Sequence, residues 1–116
     1  MYSDPGLLTV DVEILGTRFI LLRGGPQFRF SEAVSFQVAT DDQAETDRIW
    51  HALVDAGGEE SMCGWCKDRY GLSWQITPKR LIEFTTAGGE TAAKAFAAMM
   101  TMRKIDIAAL EQAVVA

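Results

Sequence analysis

In the stretch LLTVDVEIL, the apolar residues Leu8, Val10, Val12 and Ile14 alternate with Thr9, Asp11 and Glu13. A period of two puts the two sets on opposite faces, so the stretch predicts a half-buried strand. Gly16-Thr17 reads as a tight connection and RFILL as a second strand, stopped by Arg23-Gly24-Gly25-Pro26. AVSFQVAT repeats the alternation, with Val34, Phe36 and Val38 on one face and Ser35 and Gln37 on the other. The period then changes. Ile49, Trp50, Leu53 and Val54 are spaced as a helical stripe, Thr40 or Asp41 is placed to cap the helix, and Gly57 is placed to end it. Asp41, Asp42 and Glu45 suit the positive end of its dipole.

Two further strands are expected between Ser61 and Pro78, meeting near Tyr70-Gly71. On the second, Leu72, Trp74 and Ile76 should face the helix bearing Trp50, and Ser73, Gln75 and Thr77 should face away. The remaining chain reads as helical. TAAKAFAAMMTM carries Phe96, Met99 and Met100 on or near one face, and Asp106 is placed to cap a last helix bearing Ile107, Leu110 and Val114. The expected order is β-β, then β-α-β-β, then C-terminal helices. A weak internal echo supports two modules: Gly16 and Gly71 each precede an aromatic residue, Phe19 and Trp74, by three positions on a closing strand.

At 116 residues the chain suits one domain. A net charge of −5 argues against nucleic acid as a partner, because phosphate binding requires a local basic excess. No apolar run approaches the ~20 residues that span a bilayer, and MYSDPGLL lacks the basic-then-apolar order of a signal peptide. Two cysteines make no disulfide framework, so a reduced, cytoplasmic protein is expected.

Cys63 and Cys66 form a C-x-x-C pair. A thioredoxin-type dithiol stands at a helix N-terminus, and KDRYGLSWQITP after Cys66 has no helical stripe. On an extended segment the two side chains point to opposite faces, with Cα atoms about 10 Å apart at ~3.3 Å per residue. A disulfide spans roughly 4.4–6.8 Å. Zinc would need two further Cys or His ligands, and the chain has only His51. Two half-buried thiols are expected instead. His51 is expected as a surface residue, and Lys67-Asp68-Arg69 as a solvated turn or local ion pair.

The segment Cys63-Gly64-Trp65, Lys67-Asp68-Arg69-Tyr70-Gly71, Ser73-Trp74-Gln75-Ile76 and Pro78 resembles PhnB-like proteins, also described as 3-demethylubiquinone-9 3-methyltransferase-like. These belong to the vicinal oxygen chelate superfamily, with the glyoxalases, bleomycin-resistance proteins and extradiol dioxygenases. GGPQFRFSEAVSF is similar to the family's link into its second module, and MRKIDIAALEQA to its C-terminal helix. The resemblance implies an α+β, glyoxalase-like fold. Residues 1–30 would be the remnant of a truncated first module, 31–78 a complete βαββ module, and 79–116 the C-terminal helices. Family members open with a β-α-β stretch where this sequence has MYSDPG. A lone half-module would expose strand edges and an apolar sheet face, which leads to the expectation of a homodimer.

The superfamily's metal ligands, two per module, are typically His, Glu or Gln. The matching positions hold Ile20, Ala33 (with Glu32 beside it) and Gln75, and the first ligand falls ahead of the matched strands. Ile20 and Ala33 cannot ligate, so neither a metal nor another cofactor is expected. The cleft is expected to be lined by Gln75, Ser73, Thr77, Ser35 and Gln37, with Trp65 as an aromatic wall. Those hydroxyls and amides suit a small polar or amphipathic ligand. The sequence identifies no catalytic residue. Gly24-Gly25-Pro26 is too short for an S-adenosylmethionine loop, and no G-x-S-x-G occurs. The leading expectation is a metal-free small-molecule binder. The alternatives are an enzyme completed by a partner chain, whether metal-assisted isomerase or lyase or the methyl transfer of the family's label, and a non-catalytic remnant.

Overall fold

The computed structural model describes residues 8–116; the expectations for MYSDPGLL and for the start of the first module fall partly on residues 1–7, outside those described. Strands β1 (Thr9–Ile14) and β2 (Thr17–Leu22) form an antiparallel hairpin. The turn residues are Leu15 and Gly16 rather than the expected Gly16-Thr17. Both have positive φ, 50° and 80°, as the favoured two-residue hairpin turn requires at its two central positions. Val10, Val12, Phe19 and Leu21 share one face of the hairpin, and Ile20 and Leu22 lie exposed on the other. Among the described residues, no helix packs across either face.

An irregular stretch leads to β3 (Ser35–Thr40), helix α1 (Gln43–Val54), β4 (Glu59–Glu60), β5 (Trp65–Lys67) and β6 (Ser73–Pro78). The sheet order is β3-β6-β5-β4, with β3 parallel to β6 and the other pairs antiparallel. A parallel pair needs a long crossover, and the chain between Thr40 and Ser73 supplies it. The cap of α1 is Asp42, one or two residues later than expected. Its carboxylate accepts from Glu45 N at 2.8 Å, and the Glu45 side chain accepts in return from Asp41 N at 2.9 Å. Pleating sends Trp74, Ile76 and Cys66 toward α1. There they pack with fully buried Trp50 and with Val38, Ile49, Leu53 and Val54. The Trp50 indole N–H donates to Glu60 at 2.9 Å, so this large core residue leaves no polar atom unmet.

Three helices follow: α2 (Lys79–Thr86), α3 (Gly89–Met99) and α4 (Ile107–Val115). They enclose a second core of Leu81, Phe84, Ala95, Ile105 and Leu110. The face that α3 buries is Ala95, Ala98 and Met99, while Phe96 and Met100 are 55% and 51% exposed. This corrects the apolar stripe expected from the sequence. Small residues let α3 approach its neighbours, and the bulkier ones point outward. Asp106 caps α4 as expected, accepting from Ala109 N at 3.1 Å.

Two connections fix this helical unit to the sheet. Cys63 N donates to Met102 O at 2.8 Å and Gly64 N to Arg103 O at 2.7 Å. The Gln43 side chain, at the start of α1, donates to Ile105 O at 2.9 Å and accepts from Ile107 N at 2.8 Å. The radius of gyration is 16.9 Å, against roughly 13 Å for a compact chain of this length. The longest extent is 58 Å against 26 and 25 Å for the other two, an elongation consistent with a hairpin that no helix covers.

Gly58 marks the tightest approach at the exit of α1. A Cβ there would lie 2.2 Å from Lys67 O and 2.5 Å from Leu53 O, both backbone atoms that cannot swing aside. Gly58→Ala should therefore lower unfolding free energy in urea by about 3 kcal/mol or more. Gly71→Ala, with positive φ but open space, should cost only about 1–2 kcal/mol. Equal losses would show that the junction does not constrain the fold. Cys66 gives a second test. Burial pushes its thiol from 9.0 up to about 11, with the Asp68 and Glu60 carboxylates adding to the effect. The native state holds the proton longer than the unfolded chain, so stability present below pH 9 is lost as pH rises toward 11. The stability gap between wild type and Cys66→Ala should narrow over that window by up to about 2 kcal/mol; a constant gap would contradict it.

Candidate functional site

Strand β6 is central, and its period of two decides what faces outward. With Trp74 and Ile76 turned to α1, the residues Ser73, Gln75 and Thr77 occupy the other face. The parallel register sets Ser35 beside Ser73 and Gln37 beside Gln75, and the antiparallel register sets Trp65 beside Gln75. The structure thus brings Ser35, Gln37, Ser73, Gln75, Thr77 and Trp65 onto one face of one sheet. Two cross-strand hydrogen bonds link them: Gln75 Nε2 donates to Ser35 Oγ at 2.9 Å, and Gln37 Nε2 to Thr77 Oγ1 at 3.3 Å. Gln37 is exposed, Ser35, Gln75 and Trp65 are half-buried, and Thr77 and Ser73 are buried. Ser73 is the exception in hydrogen bonding. Its side-chain oxygen is fully buried with no partner, a condition that costs stability unless something meets it.

Lys67 extends this face at the end near Ser73, its direct cross-strand neighbour. Its ammonium is paired with the Glu32 carboxylate. The pairing holds Glu32 below the usual carboxylate range and raises Lys67 above the usual ammonium value. Asp68 shapes the following turn: its carboxylate accepts from Tyr70 N at 2.9 Å, from Leu72 N at 3.1 Å and from the Trp74 indole at 3.0 Å. The expectation of a solvated turn or local ion pair at 67–69 is thus met only in part: Asp68 shapes a turn, but it is half-buried, and Lys67 sits on β5 and pairs with Glu32 across the sequence. The Trp74 indole is anchored by this carboxylate and its ring meets Phe36 at 5.6 Å between centroids, so it belongs to the packing beneath the sheet.

The two cysteines are both free. Residues 62–67 are not extended throughout, as the spacing of the two thiols would require for opposite faces; the strand begins only at Trp65. Cys63 and Gly64 form a turn with φ of 60° and 82°. Gly64 is required there, because a Cβ would lie 3.0 Å from Ile105 Cγ1 and 3.2 Å from Ile76 O. Cys63 Sγ lies 3.5 Å from Met100 Sδ, and Cys66 sits in the core against Trp50. His51 is exposed, 3.4 Å from Asp55 and 3.5 Å from Lys104, remote in role from the sheet face.

Of the positions matching the superfamily's metal ligands, Ile20 lies exposed on the hairpin and cannot ligate, Glu32 is paired with Lys67, and Gln75 donates its Nε2 to Ser35, which leaves its amide oxygen as a lone donor. Among the described residues, no three His, Cys, Asp or Glu side chains come together. This donor set does not fit a chelating centre. Gly24-Gly25-Pro26 leads into irregular chain and β3, not into a helix, so it does not form the strand–loop–helix cradle of a nucleotide-type cofactor. Among the described residues no helix is long and apolar enough to cross a membrane.

The site has a neighbour that the sequence did not indicate. A groove of about 550 Å³ lies between the link at Pro26–Phe30 and the turn at Arg69–Gly71, and Lys67 lines it as well. Its walls come from segments some forty residues apart, with neither helical nor strand periodicity to connect them.

Residues 3–77 match the family described as 3-demethylubiquinone-9 3-methyltransferase. Among solved structures, the PhnB protein from Bacillus cereus, likewise designated a 3-demethylubiquinone-9 3-methyltransferase, superposes with a TM-score of 0.55 at 26% identity. The alignment covers 61% of this chain and 64% of that one. The chain thus spans just under two thirds of that relative's length. No curated protein matches. The mixed α+β architecture, with two sheets and four helices among the described residues, is the glyoxalase-like fold of that neighbour. The chain belongs to the 3-demethylubiquinone-9 3-methyltransferase-like, or PhnB-like, family.

Proposed function

We propose that this PhnB-like chain binds a small polar or amphipathic molecule on the sheet face carrying Ser35, Gln37, Ser73, Gln75 and Thr77, with Trp65 as its aromatic side. The observation that carries the reading is the gathering of these six residues on the face turned away from α1, linked through Gln75–Ser35 and Gln37–Thr77. Amides and hydroxyls already held in place present donors and acceptors without further ordering cost, which is what a small polar ligand requires. No metal takes part, because the chain's own donor set at the corresponding positions is unsuitable. The protein works in the cytoplasm, with no nucleic acid or membrane as partner. Residues 31–78 are the ligand-bearing module, residues 1–30 belong to a first module, and residues 79–116 brace the sheet from its end.

The binding unit is a homodimer. An isolated two-stranded hairpin is marginal in water, and this one carries apolar residues on both faces. Phe19 meets Phe36 of β3 edge-on at 6.3 Å, and β3 is an edge strand with exposed Val34 and Phe36 beside it. A second copy would cover this surface along the free edge of β3. Sedimentation at micromolar concentration should give a dimer, and Phe36→Asp should shift it toward monomer; a well-folded wild-type monomer would refute the assembly. For the ligand, thermal-shift screening of small polar and amphipathic molecules in chelator should find stabilisation that Gln75→Leu removes. Tight stoichiometric metal binding or turnover would favour an enzyme instead, and failure of both would favour a non-catalytic remnant.

A further inference from the structure

The groove beside the sheet face has a chemistry of its own. Three cations line it, Arg29, Lys67 and Arg69, together with the aromatic rings of Phe28, Phe30 and Tyr70. In a chain of net charge −5, that local excess runs against the average. The three cations are not equivalent. Lys67 is neutralised by Glu32, and Glu59 faces it from β4. Arg69 has its guanidinium 5.3 Å from the centroid of the Tyr70 ring and, among the described residues, is paired with no carboxylate. Among the described residues Arg29 is paired with none either. Asp68, the neighbour of Arg69, already accepts three hydrogen bonds from Tyr70 N, Leu72 N and the Trp74 indole, and Glu32, the acid nearest Arg29 in sequence, is paired with Lys67. Two planar guanidinium groups are therefore left to face solvent, and this is the group that binds carboxylate or phosphate oxygens in pairs.

The aromatic side chains point to the rest of the ligand. Phe28 is 90% exposed and Phe30 and Tyr70 are more than half exposed, an unusual display for three rings around one groove. A flat apolar body laid among them would bury their surface and leave its charge to the arginines. At the inner end, Ser73 stands directly across from Lys67, buried and with its hydroxyl unmet. The groove and the polar sheet face thus adjoin at the Lys67–Ser73 pair.

We infer that the ligand is an anion with a flat apolar body, of the aromatic carboxylate class, whose charge is held by Arg29 and Arg69 while its body stacks among Phe28, Phe30 and Tyr70. The inference rests on the sheet-face reading above, which it extends by giving the charge and shape of the ligand. The probe is 2-naphthoate, with 2-naphthamide as its uncharged counterpart and inorganic phosphate as an anion without an apolar body. Titration of the full chain is followed by backbone amide shifts. 2-Naphthoate should bind at least about tenfold more tightly than either of the others, as loss of a charge-assisted pair predicts, and its affinity should fall as salt is raised. The amides of Phe30, Arg69 and Gly71 should respond. Arg29→Gln and Arg69→Gln, both at exposed positions, should each weaken 2-naphthoate about tenfold, and together they should abolish the preference over the amide.

Equal binding of acid and amide, equal binding of phosphate alone, or unchanged 2-naphthoate binding in the double variant would overturn the inference. Gln75→Leu separates the two readings. Loss of binding there, with the arginine variants unaffected, removes the groove and leaves the sheet face. Loss only in the arginine variants supports the groove and removes the sheet face. Absence of binding by all three probes overturns the inference directly.

Discussion

The parallel pairing of β3 with β6 is the constraint on which the rest depends. Its register is fixed from Ser35 opposite Ser73 to Thr40 opposite Pro78. A slip of one residue would reverse both faces, placing Trp74 and Ile76 in water and Gln75 under α1. The apolar set forbids this, because Trp50, Cys66 and Ile76 form a fully buried cluster beneath the sheet. Burial on one face therefore decides, indirectly, which polar groups stand together on the other. The Gln75–Ser35 and Gln37–Thr77 hydrogen bonds are consequences of that register more than causes of it. The hydroxyls of Thr40 and Thr46, 2.7 Å apart and fully buried, close the top of β3 onto α1 and keep the pairing from sliding.

The same dependence explains what was legible in the sequence. Alternation specified β1, β3 and β6, and period two named Ser35, Gln37, Ser73, Gln75 and Thr77 on one face; β2 (TRFILL) carries no such alternation, and Trp65 entered only as an aromatic wall. Where the chain departs from a period, inference failed. The two-residue β4 is too short to show alternation, and α2 follows Pro78 so closely that it merged into a general helical tail. The buried face of α3 was misassigned because hydrophobicity favoured Phe96 and Met100, whereas close helix approach favoured Ala95 and Ala98. An extended course through Cys63 is what the C-x-x-C argument assumes, and nothing local in the sequence marks the positive φ found there. The docking of Met102 and Arg103 carbonyls on Cys63 and Gly64 imposes it, and that contact spans some forty residues of sequence. The groove was invisible for a related reason: its chemistry is assembled from two irregular segments that only the fold brings together.

The hairpin and the groove are physically coupled through the link between them. Residues 23–34 are tethered to β2 at one end and β3 at the other, and they carry Arg29, Phe28 and Phe30. Anything that fixes the hairpin relative to the sheet also restricts where those three side chains stand. In the dimeric reading, the second copy does this by covering the apolar faces around Phe19 and Phe36. Ligand held by Arg29 and Arg69 would in turn order the link and, through it, the hairpin. Linkage makes the two effects reciprocal: assembly raises ligand affinity by the same factor that ligand raises assembly. The size of that factor is set by how much conformational freedom the link loses, a backbone cost of roughly 1–2 kcal/mol for each residue that becomes fixed. A dozen residues of link need only be partly ordered by one event for the other to become easier. Among the described residues no helix covers the hairpin, so its position relative to the sheet rests on the link and on contacts such as Phe19 against Phe36.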